Sequence, residues 1–270
     1  MDIQKLLSLL FSQLILVFLL LYLTNSQVLQ LGFYDQSCPN AESTIHGVGC
    51  DGSVLLNSTS TNQAEKEALP NQTLRDFYVI DAIKSAVEKK WPGVVSCADI
   101  LALAARDSVE LVGGPSWVVP TGRKDGRISL VSEASAQLPS PFANIDQLKQ
   151  HFAAKGLNVK DLVVLSGAHT IGIGRCSTLN NRLYNFTRKG DTDPSLDPAY
   201  AAELKTKCKP GDTNTVVDMD PGSSKLFDSN YYSVVARRRG MFQSDAALPN
   251  DIQTRVCHSS GFNKMNHFRS

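Results

Sequence analysis

The sequence lacks several of the short motifs that identify common classes of enzyme and metal-binding protein. Its six cysteines include no Cys-x-x-Cys pair, which argues against a zinc ribbon or a thioredoxin-type redox site. No Gly-x-Ser-x-Gly segment is present, so the nucleophile elbow of an α/β-hydrolase is excluded. Gly167 and Gly172 have the spacing of half a P-loop, but Ile173 stands where that motif requires Lys.

An excess of charge of either sign is also missing. The chain has 27 Lys and Arg against 26 Asp and Glu, a net charge of +1, so nothing favours nucleic-acid binding or broad electrostatic steering. With 42% hydrophobic and 20% charged residues among 270, a disordered chain is excluded. Because there is no internal repeat and no low-complexity linker, we expect one α-rich domain.

The N-terminal segment has the pattern of a secretory signal peptide. Lys5 is followed by an almost wholly apolar stretch, Leu6–Leu23, which ends in the small polar run Thr24–Ser26. A charged start, an apolar centre and a small-residue exit predict that residues 1–26 are removed on export. The alternative is a membrane anchor, since the stretch approaches the length that spans a bilayer.

Cysteine usage and glycosylation motifs agree with export. An even number of widely spaced cysteines in a secreted chain indicates disulfides. Three Asn-x-Ser/Thr sequons begin at Asn57, Asn71 and Asn185, and each is a potential glycan site. We therefore expect an extracellular protein.

Hydrophobic periodicity and capping residues predict four helices. The four are residues 79–87, a helix from the N-cap Ser96 to Gly113, one from the N-cap Asn144 to a C′ glycine at Gly156, and one from Asn158 through Leu165. Loops are predicted at residues 58–62, 121–127 and 209–215. His169 follows the fourth helix and has the small neighbours Gly167 and Ala168, which would let a flat, bulky ligand come close to the imidazole. On the pattern alone, a core histidine with satisfied hydrogen bonds is the more frequent explanation.

Residues 218–228 are rich in oxygen donors at short spacing, with acids at both ends and serines between. Calcium takes six to eight oxygen ligands of this kind, so the segment is a candidate calcium site, and residues 49–53 are a weaker one. The alternative is a pair of solvated acidic turns.

Five segments of the chain closely resemble the secretory plant haem peroxidases (class III). They are Phe33-Tyr34 with Ser37-Cys38-Pro39-Asn40, Gly49-Cys50-Asp51-Gly52-Ser53, residues 94–101 (VVSCADIL), residues 165–172 (LSGAHTIG), and Phe227-Asp228 with Tyr231-Tyr232. The resemblance runs from Gln30 to about Asp251. It implies an all-α, two-lobed helical fold around haem b, formed by residues 27–250.

The resemblance also implies roles for individual residues. His169 matches the proximal haem ligand, which binds iron through Nε2, and Asp245 matches the carboxylate partner of its other ring nitrogen. Pro139 falls where the family places its aromatic donor. Cys176 and Cys208 match a family disulfide. The calcium ligands divide into a proximal set (Thr170, Asp220, Ser223, the carbonyl of Leu226, and Asp228) and part of a distal set (Gly49, Asp51, Ser53 and Glu65).

The main departure from the family lies before Gly49. In the family, a helix there carries a distal Arg and His, whereas Ile45-His46-Gly47-Val48 here runs straight into Gly49-Cys50. The resemblance therefore implies that the distal lobe lacks a helix between residues 48 and 49. Neither the distal Arg nor the distal His of the family is then present. His46 lacks the accompanying Arg, and Asn71, which matches the residue that orients the distal His, is left without that partner.

Further departures affect the cysteines and the C-terminus. Trp91 occupies the place of the cysteine that bridges Cys38 in the family, so Cys38 and Cys50 are free to pair with each other. Residues 251–270 form a divergent tail that contains Cys257, for which Cys97 is a conceivable partner.

The resemblance implies a monomeric, extracellular or cell-wall peroxidase. It would use hydrogen peroxide to oxidise phenolic donors, in peroxide removal, in the response to oxidative stress and in cell-wall phenolic chemistry. It would bind no nucleic acid and, after signal cleavage, no membrane. Without the distal pair we expect weak or absent turnover. The alternatives are a secreted non-catalytic haem- or calcium-binding protein, and a non-functional splice or gene-model product.

Overall fold

A computed structural model of the chain describes residues 51–255. The predicted signal peptide, His46, Gly49, Cys38, Cys50 and Cys257 lie outside these residues. The α-helices of the described part are α1 (Phe77–Lys90), α2 (Cys97–Leu111), α3 (Val131–Gln137), α4 (Ile145–Ala153), α5 (Val159–Ser166), α6 (Asn180–Tyr184), α7 (Pro198–Lys207), α8 (Asn230–Ala236) and α9 (Gln243–Ala247). Strands β1 (Ile173–Arg175) and β2 (Val216–Asp218) and several short 3₁₀ turns complete it.

The chain divides into two compact units, in agreement with the predicted two-lobed helical fold. Within the described residues, the first unit comprises residues 51–108 together with Ser116–Leu138, and the second comprises Val109–Pro115 and residues 139–255. None of the helices in residues 51–255 is long and apolar enough to cross a membrane.

Helices α1 and α2 form the core of the first unit. Ile83 and Val87 of α1 pack against the fully buried Ile100 of α2, which confirms the helical spacing predicted from residue 79 onwards. The predicted N-cap of α2 is also confirmed, because the Asp99 N–H donates to Ser96 Oγ at 3.1 Å.

Helices α4 and α5 begin as their capping residues predict. The Asn144 side chain accepts from the Gln147 N–H, and the Gln147 side chain accepts from the Asn144 N–H. Asn158 and Asp161 form the same reciprocal pair at the start of α5. Gly156 has a positive φ of 72°, but it occupies C″ and not the predicted C′ position, since Ala154 is the C-cap of α4.

The second unit contains two hydrophobic clusters. The first joins α4, α5, α8 and α9 and includes Leu162, Val163, Tyr231, Tyr232 and Leu248. The second surrounds the Cys176–Cys208 disulfide and includes Leu183 of α6, Leu204 of α7 and Val217 of β2. Each fully buried Leu in such a cluster contributes roughly 1.5–3 kcal/mol to folding.

Strands β1 and β2 form a small antiparallel ladder, which the expectation of an all-α chain omitted. Ile173 pairs with Asp218 and Gly174 with Val217. Position 174 requires glycine, because a Cβ there would collide with the Met241 sulfur. The pairing continues at Gly172, whose carbonyl accepts the Met219 N–H at 3.0 Å and whose N–H donates to the Ser224 carbonyl at 2.9 Å. These bonds bring the segment after His169 beside residues 218–228.

Candidate active site

His169 lies on a single 3₁₀ turn, Gly167–Thr170, that follows directly from α5. The chain can make this turn close to α8 because position 167 is glycine. A Cβ at Gly167 would stand 2.5 Å from the Tyr232 hydroxyl oxygen. Thr170, at the end of the turn, is fully buried, whereas the His169 side chain remains 38% exposed. The turn is therefore anchored at one end while the imidazole stays accessible.

Asp245 of α9 holds one edge of the imidazole. Its Oδ1 lies 2.8 Å from His169 Nδ1, and its Oδ2 accepts the Phe242 N–H at 2.8 Å. The carboxylate is only 2% exposed. A hydrogen bond at Nδ1 determines the tautomer, so Nδ1 carries the proton and Nε2 keeps a lone pair for a ligand.

The electrostatics of the site follow from this contact. Burial lowers the pKa of His169, but the hydrogen bond to Asp245 and the negative charge of Asp245 outweigh burial, so the pKa lies above its ordinary value. A carboxylate in this position also makes the imidazole a stronger donor to a metal.

Two aromatic rings fix the orientation of the imidazole. The Phe242 ring lies edge-on, with 5.3 Å between centroids and an interplanar angle of 84°, and Tyr231 lies at 6.0 Å and 80°. The Tyr231 hydroxyl donates to Asp245 Oδ1 at 3.0 Å. With contacts at its edge and its face, the ring has little freedom to rotate.

The helix that leads to His169 carries exposed apolar side chains. Val164 and Leu165, near the end of α5, are 56% and 55% exposed. Large exposed apolar side chains in the segment that precedes an accessible imidazole are suited to a flat apolar ligand that a metal joins to the protein. These residues fit haem.

Oxygen donors of the predicted proximal calcium site converge around Thr170. Its hydroxyl donates to Asp228 Oδ1 at 3.0 Å and lies 3.4 Å from Asp220 Oδ2, and the Ser223 hydroxyl donates to Asp228 Oδ2 at 2.7 Å. Burial and the nearby Asp228 raise the pKa of Asp220. Two close carboxylates with buried hydroxyls are a donor set that a hard cation stabilises.

One feature of this region, the involvement of Asn230, was not foreseen from the sequence. Asn230 takes part in the network, because its side-chain amide donates to Asp220 Oδ1 at 2.7 Å and its backbone N–H to Asp228 Oδ1 at 2.7 Å. No group of three or more His, Cys, Asp or Glu side chains suited to a metal occurs in the described part of the chain. Any cation site at Thr170 must therefore use hydroxyl and carbonyl oxygens beside its two carboxylates.

Three of the four predicted distal calcium residues lie together in the first unit. The Ser53 hydroxyl donates to Glu65 Oε1 at 2.9 Å, and the Ser53 N–H donates to Asp51 Oδ1 at 3.1 Å. Burial, the largest effect, raises the pKa of Glu65 although the Ser53 hydrogen bond lowers it. Asn71 donates to the Glu65 backbone carbonyl at 2.8 Å, so its amide is engaged within this lobe.

The remaining predicted residues have simpler surroundings. Cys176 and Cys208 form a disulfide with a Cα–Cα distance of 5.3 Å, as expected, while Cys97 forms none among residues 51–255. Pro139 is exposed and lies in the irregular segment after α3, and two residues later the Pro141 carbonyl accepts the Ser244 N–H at 3.0 Å. The histidines within the described range are His151 and His169.

Arg182 holds the backbone segment that precedes α9, and no sequence signal pointed to this role. The side chain is fully buried and bonds Asp193 Oδ2 through Nε at 2.7 Å. Its Nη1 donates to the carbonyls of Gly240, Met241 and Phe242, and its Nη2 donates to the Ser195 hydroxyl at 3.2 Å. The segment that leads into α9 and Asp245 is thus tied to a buried ion pair.

Comparisons with known proteins identify the family of the chain. The sequence profile of a family described as "Peroxidase" matches residues 8–261. "Peroxidase 27" of Arabidopsis thaliana is 53% identical over 258 residues, covering 86% of this chain and 79% of the relative. "Peroxidase 1" of the same species is 51% identical, covering 85% and 78%. "Peroxidase 5" of Vitis vinifera is 49% identical, covering 89% and 82%.

Proposed function

The chain belongs to the peroxidase family, and from this premise we propose that it is a secreted haem peroxidase of the plant type with impaired turnover. Its reaction is the use of hydrogen peroxide to oxidise phenolic donors, for peroxide removal, the oxidative-stress response or cell-wall chemistry. The observation that carries the proposal is the accessible His169, whose Nδ1 is held 2.8 Å from the buried Asp245.

His169 and Asp245 together provide the attachment for haem b. Haem supplies the redox-active iron at which peroxide is reduced and donors are oxidised one electron at a time. His169 Nε2 binds that iron, and Asp245 increases the electron donation of the imidazole through Nδ1. Leu165 and Val164, both more than half exposed, cover apolar cofactor surface and exclude water from it.

Calcium holds the His169 turn in place. The ligands are Thr170, Asp220, Ser223, the Leu226 carbonyl and Asp228, and the convergence of Thr170 and Ser223 on Asp228 supports the assignment. Because Thr170 follows His169 directly, a cation here stiffens the turn that carries the imidazole. A second, less complete site uses Gly49, Asp51, Ser53 and Glu65.

The reaction is impaired because the chain has no distal Arg and His. In a complete distal site, a histidine moves a proton between the two oxygens of hydrogen peroxide, and an arginine stabilises the charge that develops as they separate. Val48 is followed directly by Gly49, so the sequence lacks the helix that carries these groups in the family. General acid–base help is worth about 10²–10⁴ in rate, and an electrostatic donor about 10²–10³ more.

The remaining parts of the proposal concern the donor and the compartment. Phenolic donors bind at Pro139, whose exposed segment is linked to α9 through the Pro141–Ser244 hydrogen bond. Residues 1–26 direct secretion to the cell wall, and residues 27–250 act as a monomeric peroxidase domain with a divergent tail after it.

Restoring the missing helix tests the proposal. We would express residues 27–270 and a matched chain in which the corresponding helix of a relative is inserted between Val48 and Gly49, load both with haem, and measure guaiacol oxidation. We expect both chains to show a Soret band that His169→Ala weakens, and only the inserted chain to turn over rapidly. Equal turnover of the two chains would contradict the impaired-activity claim, and absence of the Soret band from both would contradict the haem site.

A non-catalytic haem- and calcium-binding protein is the second candidate. Two observations together favour it. His169 and Thr170 are held by hydrogen bonds to Asp245 and Asp228, and the chain lacks the distal Arg/His pair. Haem retention and calcium-dependent stability without turnover would support it. A non-functional splice or gene-model product is distinguished by sequencing transcripts across Val48–Gly49, since every read would then contain the missing helix.

A further inference from the structure

Two donors share a single oxygen of Asp245. His169 Nδ1 lies 2.8 Å from Oδ1, and the Tyr231 hydroxyl donates to the same atom at 3.0 Å. The other oxygen, Oδ2, accepts the Phe242 N–H. Tyr231 and Asp245 are each only 2% exposed, so water does not replace the Tyr231 hydroxyl at this oxygen.

The shared oxygen couples the two hydrogen bonds. Hydrogen bonds to a charged acceptor contribute about 1.5–3 kcal/mol, more than neutral ones. A donor on Oδ1 withdraws negative charge from it, and in a buried, low-dielectric site this change is poorly screened. The Tyr231 hydroxyl therefore weakens the pull of Oδ1 on the His169 proton, while it holds the carboxylate in the orientation that reaches His169.

We propose that Tyr231 is a positioning residue that moderates the His169–Asp245 hydrogen bond, and through it the electron donation of His169 Nε2 to a bound metal. The first part stands on the geometry of the chain alone. The second part rests on the proposed function, in which Nε2 binds haem iron.

Tyr231 remains a donor over the whole physiological range. Burial and the negative charge of Asp245 raise its pKa well above the ordinary value. The phenol is therefore neutral and its proton points to Asp245.

The adjacent tyrosine provides a matched control. Tyr232 also lies on α8 and is 3% exposed, and its ring meets that of Tyr231 at 5.3 Å. Its hydroxyl donates instead to the Val163 carbonyl at 3.2 Å. Tyr231→Phe and Tyr232→Phe therefore each remove one buried hydroxyl from the same cluster and keep the ring, but only the first removes a donor from Asp245.

The first experiment uses haem-free protein with ¹⁵N-labelled histidine. The chain has five histidines, and the His169 signal is assigned by its loss in His169→Gln. We expect Tyr231→Phe to move the His169 Nδ1 proton downfield, the direction of a stronger hydrogen bond to Asp245, and Tyr232→Phe to leave it in place. An unchanged signal in Tyr231→Phe, or equal shifts in both variants, would overturn the proposal.

Fluorotyrosine keeps the test decisive if Tyr231→Phe does not fold. Incorporated into the Tyr232→Phe protein, it makes the Tyr231 hydroxyl a stronger donor and keeps both the ring and the hydroxyl, because fluorine replaces only one ring hydrogen. The His169 Nδ1 proton should then move upfield, opposite to the expected effect of Tyr231→Phe. A downfield shift or no shift contradicts the coupling.

The haem-loaded protein separates this proposal from the proposed function. We expect Tyr231→Phe to raise the iron–histidine stretching frequency relative to wild type and Tyr232→Phe, because Nε2 donates more strongly. If the chain does not bind haem, the proposed function fails, while the haem-free signals still decide whether Tyr231 acts on the His169–Asp245 pair. Haem binding with an unchanged frequency in Tyr231→Phe overturns the second part alone.

Discussion

The His169–Asp245 hydrogen bond, at 2.8 Å, joins a turn after α5 to a helix 76 residues further along the chain. It leaves one imidazole nitrogen accessible and determines which nitrogen that is. The partner carboxylate is itself held by the Phe242 N–H and the Tyr231 hydroxyl. The geometry needed to bind a metal through Nε2 is therefore already present in the chain.

Asp245→Asn should weaken haem binding while leaving the fold intact. Loss of such a partner typically costs about 10–100-fold in metal affinity, because the imidazole becomes a poorer donor and is oriented less firmly. Haem titration followed at the Soret band measures this. Asp146→Asn makes the same substitution at an exposed carboxylate on α4 and should have no effect; equal losses in both variants would contradict the role of Asp245.

Removal of calcium should lower the melting temperature. A ligand that binds only the folded state stabilises it by about 2.7 kcal/mol at 100 times its dissociation constant, and chelation removes that contribution. Asp228→Asn should abolish the dependence, since Asp228 accepts from both Thr170 and Ser223. The control is Asp218→Asn, an exposed acid of the same segment; a calcium response lost in both variants would argue against a specific site.

Tyr200→Phe should protect the protein at alkaline pH. Burial, its largest cause, raises the pKa of Tyr200 to about 12, so the folded state keeps a proton that the unfolded chain releases from about pH 10 upwards. Stability is therefore lost as pH rises between these values, by about 1.4 kcal/mol per pH unit, and the variant should lose less. Urea unfolding at a series of pH values measures this difference.

The same variant should cost little at neutral pH. Among residues 51–255 the Tyr200 hydroxyl oxygen has no hydrogen-bond partner, so its removal breaks no bond. Tyr184→Phe is the comparison, because the Tyr184 hydroxyl donates to the Cys208 carbonyl at 2.6 Å and its loss should cost about 1 kcal/mol. A Tyr200→Phe protein less stable than Tyr184→Phe at pH 7 would show that Tyr200 is bonded in solution.

Arg182→Met should destabilise the second unit severely. Removal of one partner of a buried ion pair typically costs about 3–5 kcal/mol, because Asp193 and three carbonyls lose their donor. Lys207→Met removes a cation from an exposed pair with Glu203 at 2.9 Å, and such pairs are worth about 0–1 kcal/mol. Chemical denaturation of the two variants should separate these costs; similar midpoints would refute the structural role of Arg182.

Part of the fold was predictable because its signals are local. The Asn144 and Asn158 caps lie within three residues of their partners, so the starts of α4 and α5 follow from neighbouring residues alone. Helix α7 was overlooked, although Asp197 before Pro198 is a helix-start signal of the same kind. The β1–β2 ladder has three-residue strands, which are too short for an alternating pattern to indicate.

The sequence by itself determined the helical class and the family, and it singled out His169 as the candidate haem ligand, because these depend on residue types at short, specific spacings. The tertiary structure decided how the site is built, since Arg182, Asn230 and Tyr231 act on partners brought near by folding. No local pattern encodes which carboxylate oxygen Tyr231 meets. That contact depends on how α8 and α9 pack together. Through it, as proposed, Tyr231 moderates the strength of the His169–Asp245 interaction.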